Sequence, residues 1–346
     1  MKNKLIISVV IVAILTVLGI YLLESFRENQ FKPEELEKSS EETPIEEPQI
    51  KGNIISEEHK KIIPTVPKLH SWQKEEGIHI PNAISSSTIF RDNQYWMYFT
   101  GNGIELAISN DGINFVLKGS VIGDDGPGSE QEMVTNPTIF QIKEGKYRMI
   151  YEGSTDKNAV RKLYSAVSDG GLKWVKEGGI RLEDSIFYSD LKKGTSGVVI
   201  FASVPDVIRL KDDCLRIYYA AVDEIRTAKS CDEGLTWQKE GKIMFDVYPE
   251  VAQDPDIIQL EDETYKLFFS TQNFERTKGW IVSASSEDGI NFMIEGKIIE
   301  PTTGVTHAMD TDATKLLEGR YRLYYSEGNL SYPNFTPNIL SAISLD

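Results

Sequence analysis

A repeat running from residue 71 onward constrains the fold more than any other feature of the chain. Each copy opens with a short strand entered through a proline or a small polar residue. These strands are Ser86-Ser87-Thr88-Ile89-Phe90, Asn136-Pro137-Thr138-Ile139-Phe140, Val204-Pro205-Asp206-Val207-Ile208, Asp254-Pro255-Asp256-Ile257-Ile258 and Asp310-Thr311-Asp312-Ala313-Thr314. An aromatic-rich strand follows: YWMYFTG from Tyr95, YRMIYEG from Tyr147, LRIYYAA from Leu215, YKLFFST from Tyr265 and YRLYYSE from Tyr321. In four copies a third strand then runs into a Ser-x-Asp-Gly type of turn, at Ser109, Ser168, Ser230 and Ser286, whose closing aromatic residue starts a fourth strand. The first strands begin at 86, 136, 204, 254 and 310, giving spacings of 50, 68, 50 and 56. The polar–apolar period is two, not 3.6, which excludes a helical solenoid. Four short hairpin-joined strands about every 50 residues are the mark of propeller blades. The spacing therefore predicts an all-β, five-bladed β-propeller of four-stranded antiparallel blades. Pro137, Pro205 and Pro255 agree, since proline belongs on an edge strand, here the one facing the central channel.

The fifth copy stops after its third strand, NILSAISLD from Asn338, and lacks a fourth. Ser71-Trp72-Gln73-Lys74-Glu75-Glu76-Gly77 mimics Thr236-Trp237-Gln238-Lys239-Glu240-Gly241, so residues 71–80 are expected to complete that blade and close the ring. The propeller domain is thus placed at 67–346. Ahead of it, Leu5 to Leu23 is a run of 19 uncharged residues, enough for ~28 Å of helix, close to the width of a bilayer core. Lys2 and Lys4 precede it, which keeps the amino terminus cytoplasmic. Residues 1–27 are read as a single-pass membrane anchor, with a cleaved signal peptide as the alternative; both readings export the remainder. Residues 28–66 are Glu-rich and proline-punctuated and read as an acidic, disordered spacer.

Charge and cysteine usage narrow the function. The net charge is -16, of which residues 61–346 carry -12, so the folded part is itself acidic. That argues against nucleic acid as a partner, since binding it needs Lys and Arg to displace counterions. Two cysteines exclude a disulfide scaffold or a multi-cysteine metal site. Cys214 and Cys231 lie symmetrically about residues 222–223, where a hairpin turn falls, and should be cross-strand neighbours. A disulfide and two free thiols both remain open. No Gly-rich phosphate loop follows a strand and opens a helix, so no nucleotide cofactor is expected, and no metal set is assigned. Asn329 and Asn334 begin glycosylation sequons.

The proline-entered strand followed by an aromatic one, as in QDPDIIQLEDETYKLFFS from Gln253, resembles the five-bladed propeller glycosidases over residues 71–346. These are the arabinanase/β-xylosidase family and its invertase/levansucrase relatives. The turn from Ser230 to Trp237 also looks like the Asp-box of sialidases. Sialidases have six blades and an arginine triad with a tyrosine nucleophile, and no arginine constellation recurs at these strand starts. Asp111, Asp169, Asp232 and Asp288 are read as turn-stabilising.

The resemblance implies an active site at one mouth of the channel, with carboxylates projecting from the inner-strand starts, and a glycan as partner. Glycosidic cleavage needs one carboxylic acid to protonate the leaving oxygen and one carboxylate as base or nucleophile, supplied from different blades. Asp254 and Asp310 hold the first position of blades four and five. Glu152 stands where the other blades have Thr100, Ala220, Ser270 and Ser326. These three are the candidate catalytic residues. Asp206, Asp256 and Asp312 occupy the third position, on the same strand face as the first, and are candidate substrate contacts. Ser86 falls where the family carries its base aspartate, and Asn136 holds the first position of blade two. Glu132 and Glu250, four residues ahead of a first position, are candidate loop acids, and His307 a candidate channel residue. The expected function is a membrane-tethered extracellular glycoside hydrolase. The alternative, motivated by Ser86, is a non-catalytic carbohydrate-binding or scaffold propeller.

Overall fold

In the computed structural model, each repeat forms an antiparallel four-stranded sheet. The first comprises Ile84–Arg91, Gln94–Gly101, Gly103–Ser109 and Val116–Ile122. The second comprises Met133–Lys143, Lys146–Thr155, Val160–Asp169 and Val175–Lys176. Ser203–Arg209, Leu215–Ala221, Glu224–Ser230 and Gln238–Lys242 make the third. Gln253–Gln259, Tyr265–Gln272, Gly279–Ser286 and Asn291–Ile299 make the fourth. The fifth is His307–Lys315, Tyr321–Gly328 and Asn338–Ser344, with Trp72–Lys74 as its outer strand. The structure describes residues 69, 71–155, 160–190, 195–330 and 336–345. The expected membrane anchor, the acidic spacer and the sequon at Asn334 lie outside the described residues. The arrangement is that of a β-propeller, with no helix among the described residues. Each first strand contacts the first strand of the next sheet, and that of the fifth contacts that of the first.

The second strands are buried on both faces, which explains their aromatic composition; Tyr98, Tyr151, Tyr218 and Tyr324 are fully enclosed. The hydrophobic clusters fill the seams between neighbouring sheets. The spacing of 68 is explained by an extra hairpin, Ser185–Asp190 paired with Thr195–Ile200, inserted between blades two and three. Cys214 and Cys231 form a disulfide, which resolves the alternative left open by their positions.

The Ser-x-Asp-Gly turns hold neighbouring blades together. In the turns of blades one, three and four the aspartate gathers backbone donors: Asp111 Oδ1 accepts from the amides of Ile113 (2.9 Å) and Asn114 (2.8 Å), and Asp232 and Asp288 do the same, whereas Gly170 stands at that position in blade two and Asp169 falls one residue early. The folded turn then presents its carbonyls to the preceding blade. Tyr98 donates to Gly171 O (2.9 Å), Tyr218 to Gly289 O (2.8 Å) and Tyr324 to Gly112 O (2.8 Å). Arg216 and Arg322 donate to the carbonyls of Asp288 and Asp111, each at 3.1 Å, and Arg148 to that of Glu233.

The fifth blade builds a split version of the same turn from two distant pieces of chain. Ser344 occupies the position of the turn serine, opposite Trp72 and beside Tyr321, and Leu345 N donates to Ser71 O at 2.9 Å. Leu69 takes the place of the turn glycine: its φ is 54°, against 72°, 84°, 84° and 73° at Gly112, Gly171, Gly234 and Gly289. Trp72 Nε1 bonds Leu69 O at 3.0 Å, as Trp174 bonds Gly171 O (2.8 Å) and Trp237 bonds Gly234 O (3.1 Å). Glycine takes a left-handed φ freely and leucine does not. Full burial of Leu69 among Leu260, Phe268 and Leu323 offsets that strain.

Candidate active site

Five strand entries converge on the channel, and each carries a bulge. The pairing skips between Ile84 and Ser86, Thr135 and Thr138, Ser203 and Asp206, Gln253 and Asp256, and Met309 and Asp312. At each bulge one residue adopts a left-handed φ: Ser85 (53°), Asn136 (52°), Val204 (42°), Asp254 (52°) and Asp310 (51°). Asn and Asp tolerate this conformation better than most residues, which by itself favours them here. The geometry corrects one sequence assignment. The first position of blade one is Ser85, and Ser86 takes the place held by Pro137, Pro205, Pro255 and Thr311.

The third-position side chains form a girdle below the entries. Ser87 Oγ accepts from Ile139 N (3.2 Å), Asp206 from Ile257 N (2.9 Å), Asp256 from Ala313 N (2.9 Å) and Asp312 from Thr88 N (3.1 Å). Each link joins one blade to the fourth position of another, a pattern that fits blade one only when Ser85 is its first position. Thr138 donates to Asp206 at 3.0 Å and closes the remaining seam. Asp206, Asp256 and Asp312 thus staple blades together. Burial raises all three above the usual carboxylate range, and their mutual charges push Asp256 further; Asp312 rises to about 6. The girdle encloses a cavity of about 30 Å³, lined among others by Ser86, Asn136, Thr138, Asp206 and Asp312. That volume holds one or two waters and no sugar ring.

The three catalytic candidates meet above the girdle. Glu152, at the end of the second strand of blade two, is wholly buried. Three donors converge on it: Asn136 Nδ2 at 2.8 Å, Ser203 Oγ, and Arg161 Nη1. Asn136 itself is fixed through its amide to Thr100 Oγ1 at 2.8 Å. Arg161 stacks over Phe201, 5.3 Å from the ring centroid, and stays about a third exposed. Asp254 lies within electrostatic reach of Arg161 and Glu152. Burial raises it to about 6, against the pull of Ser270, the Asp310 amide and Arg161. It nonetheless keeps some exposed surface. Asp310 is raised well above the usual range by burial and then by the charge of Asp254, and its buried Oδ2 has no hydrogen-bond partner among the described residues. Burial raises both Asp254 and Asp310, and the charge of Asp254 raises Asp310 further, so this pair from two blades favours taking up a proton.

The other candidates stand apart. Glu132 is half-buried in the loop before blade two, with Gly128 N at 3.5 Å, and Glu250 is exposed. His307 is buried beside Gly279 with Nδ1 on Thr306 Oγ1 at 2.8 Å; burial lowers its pKa, and no contact among the described residues draws it to the carboxylates. Sequence reasoning missed Arg161 and Ser203. Arg161 lies nine residues after Glu152 across a hairpin and pairs with Phe201 after the inserted hairpin, so no local pattern announces it.

No family model matches the chain, and no curated protein is significantly similar in sequence. Solved structures do share the fold. A thermostable family-43 glycoside hydrolase matches with a TM-score of 0.58 at 15% identity, covering 78% of this chain and 91% of that one. The α-L-arabinanase of Cellvibrio cellulosa matches at 0.57 and 15%, covering 77% and 91%. An N-acetylgalactosamine deacetylase from F. plautii, solved with blood group B trisaccharide, matches at 0.58 and 11%, covering 81% and 95%. The fold is therefore that of the glycoside-hydrolase propellers.

Proposed function

We propose that this chain is a five-bladed propeller, tethered to the outer face of a cell membrane by residues 1–27, that hydrolyses a glycan at the channel mouth. The observation carrying this reading is the convergence of Glu152, Asp254 and Asp310 from three blades, with Arg161 bonded to Glu152 and within electrostatic reach of Asp254. A protonated carboxyl is needed to donate to the leaving oxygen, and a charged one to activate water or attack the sugar. Burial and mutual repulsion supply the first condition at the Asp254–Asp310 pair, and three donors, Arg161 among them, fix the orientation of the Glu152 carboxyl. The structural neighbours support a carbohydrate as the ligand; their names make arabinans and N-acetylgalactosamine-bearing glycans the first candidates. Asp206, Asp256 and Asp312 contribute through the ring they hold together.

A second reading, a carbohydrate-binding propeller without turnover, is favoured by Ser85 and Asn136 in place of carboxylates at the first positions of blades one and two. Incubating the full-length protein with aryl-glycosides and a polysaccharide panel separates the two. Release of reducing sugar is expected under the first reading, whereas retention of a glycan without release belongs to the second. Neither retention nor release on any glycan defeats both.

A further inference from the structure

The small cavity at the centre of the ring has polar walls that the protein does not fully satisfy. Ser85, Asn136 and Asp310, all at first positions, line it towards the mouth, and Asp206, Asp256 and Asp312 line it from the girdle. Two polar atoms of its wall residues, Asp310 Oδ2 and Thr311 Oγ1, have no hydrogen-bond partner among the described residues. Asp310 and Thr311 are only 6% and 8% exposed, which closes them off from bulk solvent. The girdle aspartates, by contrast, are taken up by backbone and threonine donors from other blades. Asp310 Oδ2 is therefore an acceptor still open to a ligand.

Charge decides what that acceptor takes. Four aspartates and no basic side chain line the cavity among the described residues. Burial, and then the charge of Asp254, hold Asp310 well above the usual carboxylate range, the mark of a carboxylate short of counter-charge. A neutral hydroxyl would bond Oδ2 and leave that shortage in place, whereas a small cation removes both. No group of three or more His, Cys, Asp or Glu side chains among the described residues is arranged to hold a metal ion. A primary ammonium suits the walls better, because it shares its three N–H donors between a carboxylate and the hydroxyls of Ser85, Ser86 and Thr311. The volume of about 30 Å³ admits one such water-sized group and excludes a ring. A ring carrying the ammonium stays in the mouth, beside Glu152 and Asp254.

We propose that this cavity receives the protonated amine of an amino sugar, with Asp310 as its counter-ion. The inference rests on the mouth being a carbohydrate site and narrows its substrate class to glycans whose amino groups are free. An N-acetyl group is refused on both counts, since it carries no charge and its acetyl carbons overfill the space. Two acids at equivalent positions thereby take different tasks: Asp310 holds the amine, and Asp254 keeps its proton for the leaving oxygen. The net charge of -12 over residues 61–346 draws a cationic glycan towards the domain.

Calorimetric titration of the full-length protein in acidic buffer tests this with D-glucosamine and D-galactosamine, each against its N-acetyl form and its parent hexose. At least one amine is expected to bind about tenfold or more tighter than both of its comparators. Asp310→Asn should bring amine and parent hexose within about twofold of each other with thermal stability kept, and Thr311→Val should weaken the preference less. Ammonium chloride should displace the amine, whereas tetramethylammonium chloride at the same ionic strength, too large for the cavity, should not. No preference for either amine overturns the proposal, as does a preference that Asp310→Asn leaves intact. Equal effects of the two salts also overturn it, because the attraction then belongs to the acidic surface. Release of sugar from neutral glycans without an amine preference defeats this inference and leaves the hydrolase reading standing. An amine preference without release supports it and favours the carbohydrate-binding reading.

Discussion

Replacing Asp254 by asparagine should stabilise the protein, and the gain should depend on pH. Asp254 has a folded pKa of about 6 against 3.8 for an ordinary aspartate. A carboxyl raised on folding binds its proton more tightly in the native state, so its favourable contribution is complete below the unfolded value and is lost as pH climbs through the folded one. The displacement of roughly two pH units corresponds to about 3 kcal/mol. The neutral amide of the Asp254→Asn variant mimics the protonated carboxyl and escapes that loss. The variant should therefore match the wild type near pH 4, pull ahead between about pH 4 and 6, and hold a constant advantage above. For a domain of this size 3 kcal/mol corresponds to about 5–10 °C in Tm. Differential scanning fluorimetry of both proteins across pH 4–8 reads this directly. A pH-independent difference, or a variant less stable than the wild type at pH 8, would refute the electrostatic reading of the cluster. A gain in stability on removing a proposed catalytic acid is the usual mark of a strained functional site.

Other outcomes follow from the same contacts. Arg161→Met should cost about 2–4 kcal/mol in chemical denaturation, because Glu152 is left buried without its cation, and adding Glu152→Gln should recover most of it. Tyr218→Phe and Tyr324→Phe each delete one seam hydrogen bond and should cost about 1 kcal/mol apiece, additively since they serve different seams. Reducing Cys214–Cys231, separated by 17 residues, should lower stability by about 3 kcal/mol and shift Tm under dithiothreitol. Trp72→Ala removes the Phe268 contact and the anchor of the split turn and should cost about 3 kcal/mol, read by the same denaturation.

The sequence made the blades legible because each repeats one hydrophobic pattern, and Trp72–Lys74 was recognisable as the outer strand of the last blade by its likeness to Trp237–Lys239. The split turn was harder to see, since leucine stands at a glycine position and only the backbone φ reveals the equivalence. Blade one was misaligned by one residue for a related reason. Proline marks the second position in three other blades, whereas Ser85-Ser86-Ser87 offers no such mark, and the bulge that decides the matter is a backbone feature. The first-position acids and Glu152 were found by comparing equivalent positions. Their counter-ion Arg161 and the stapling roles of Asp206, Asp256 and Asp312 depend on contacts between blades, which no single strand encodes.

The most direct measurement compares kcat/KM of the full-length wild type with Glu152→Gln, Asp254→Asn and Asp310→Asn on whichever glycan it cleaves. Each isosteric change removes one carboxylate and keeps the shape of the channel. The account expects losses of about 10²–10⁴-fold in each variant, with folding intact and glycan binding retained. Activity within a few-fold of wild type in all three, or glycan cleavage that instead vanishes with the girdle aspartates alone, would contradict it.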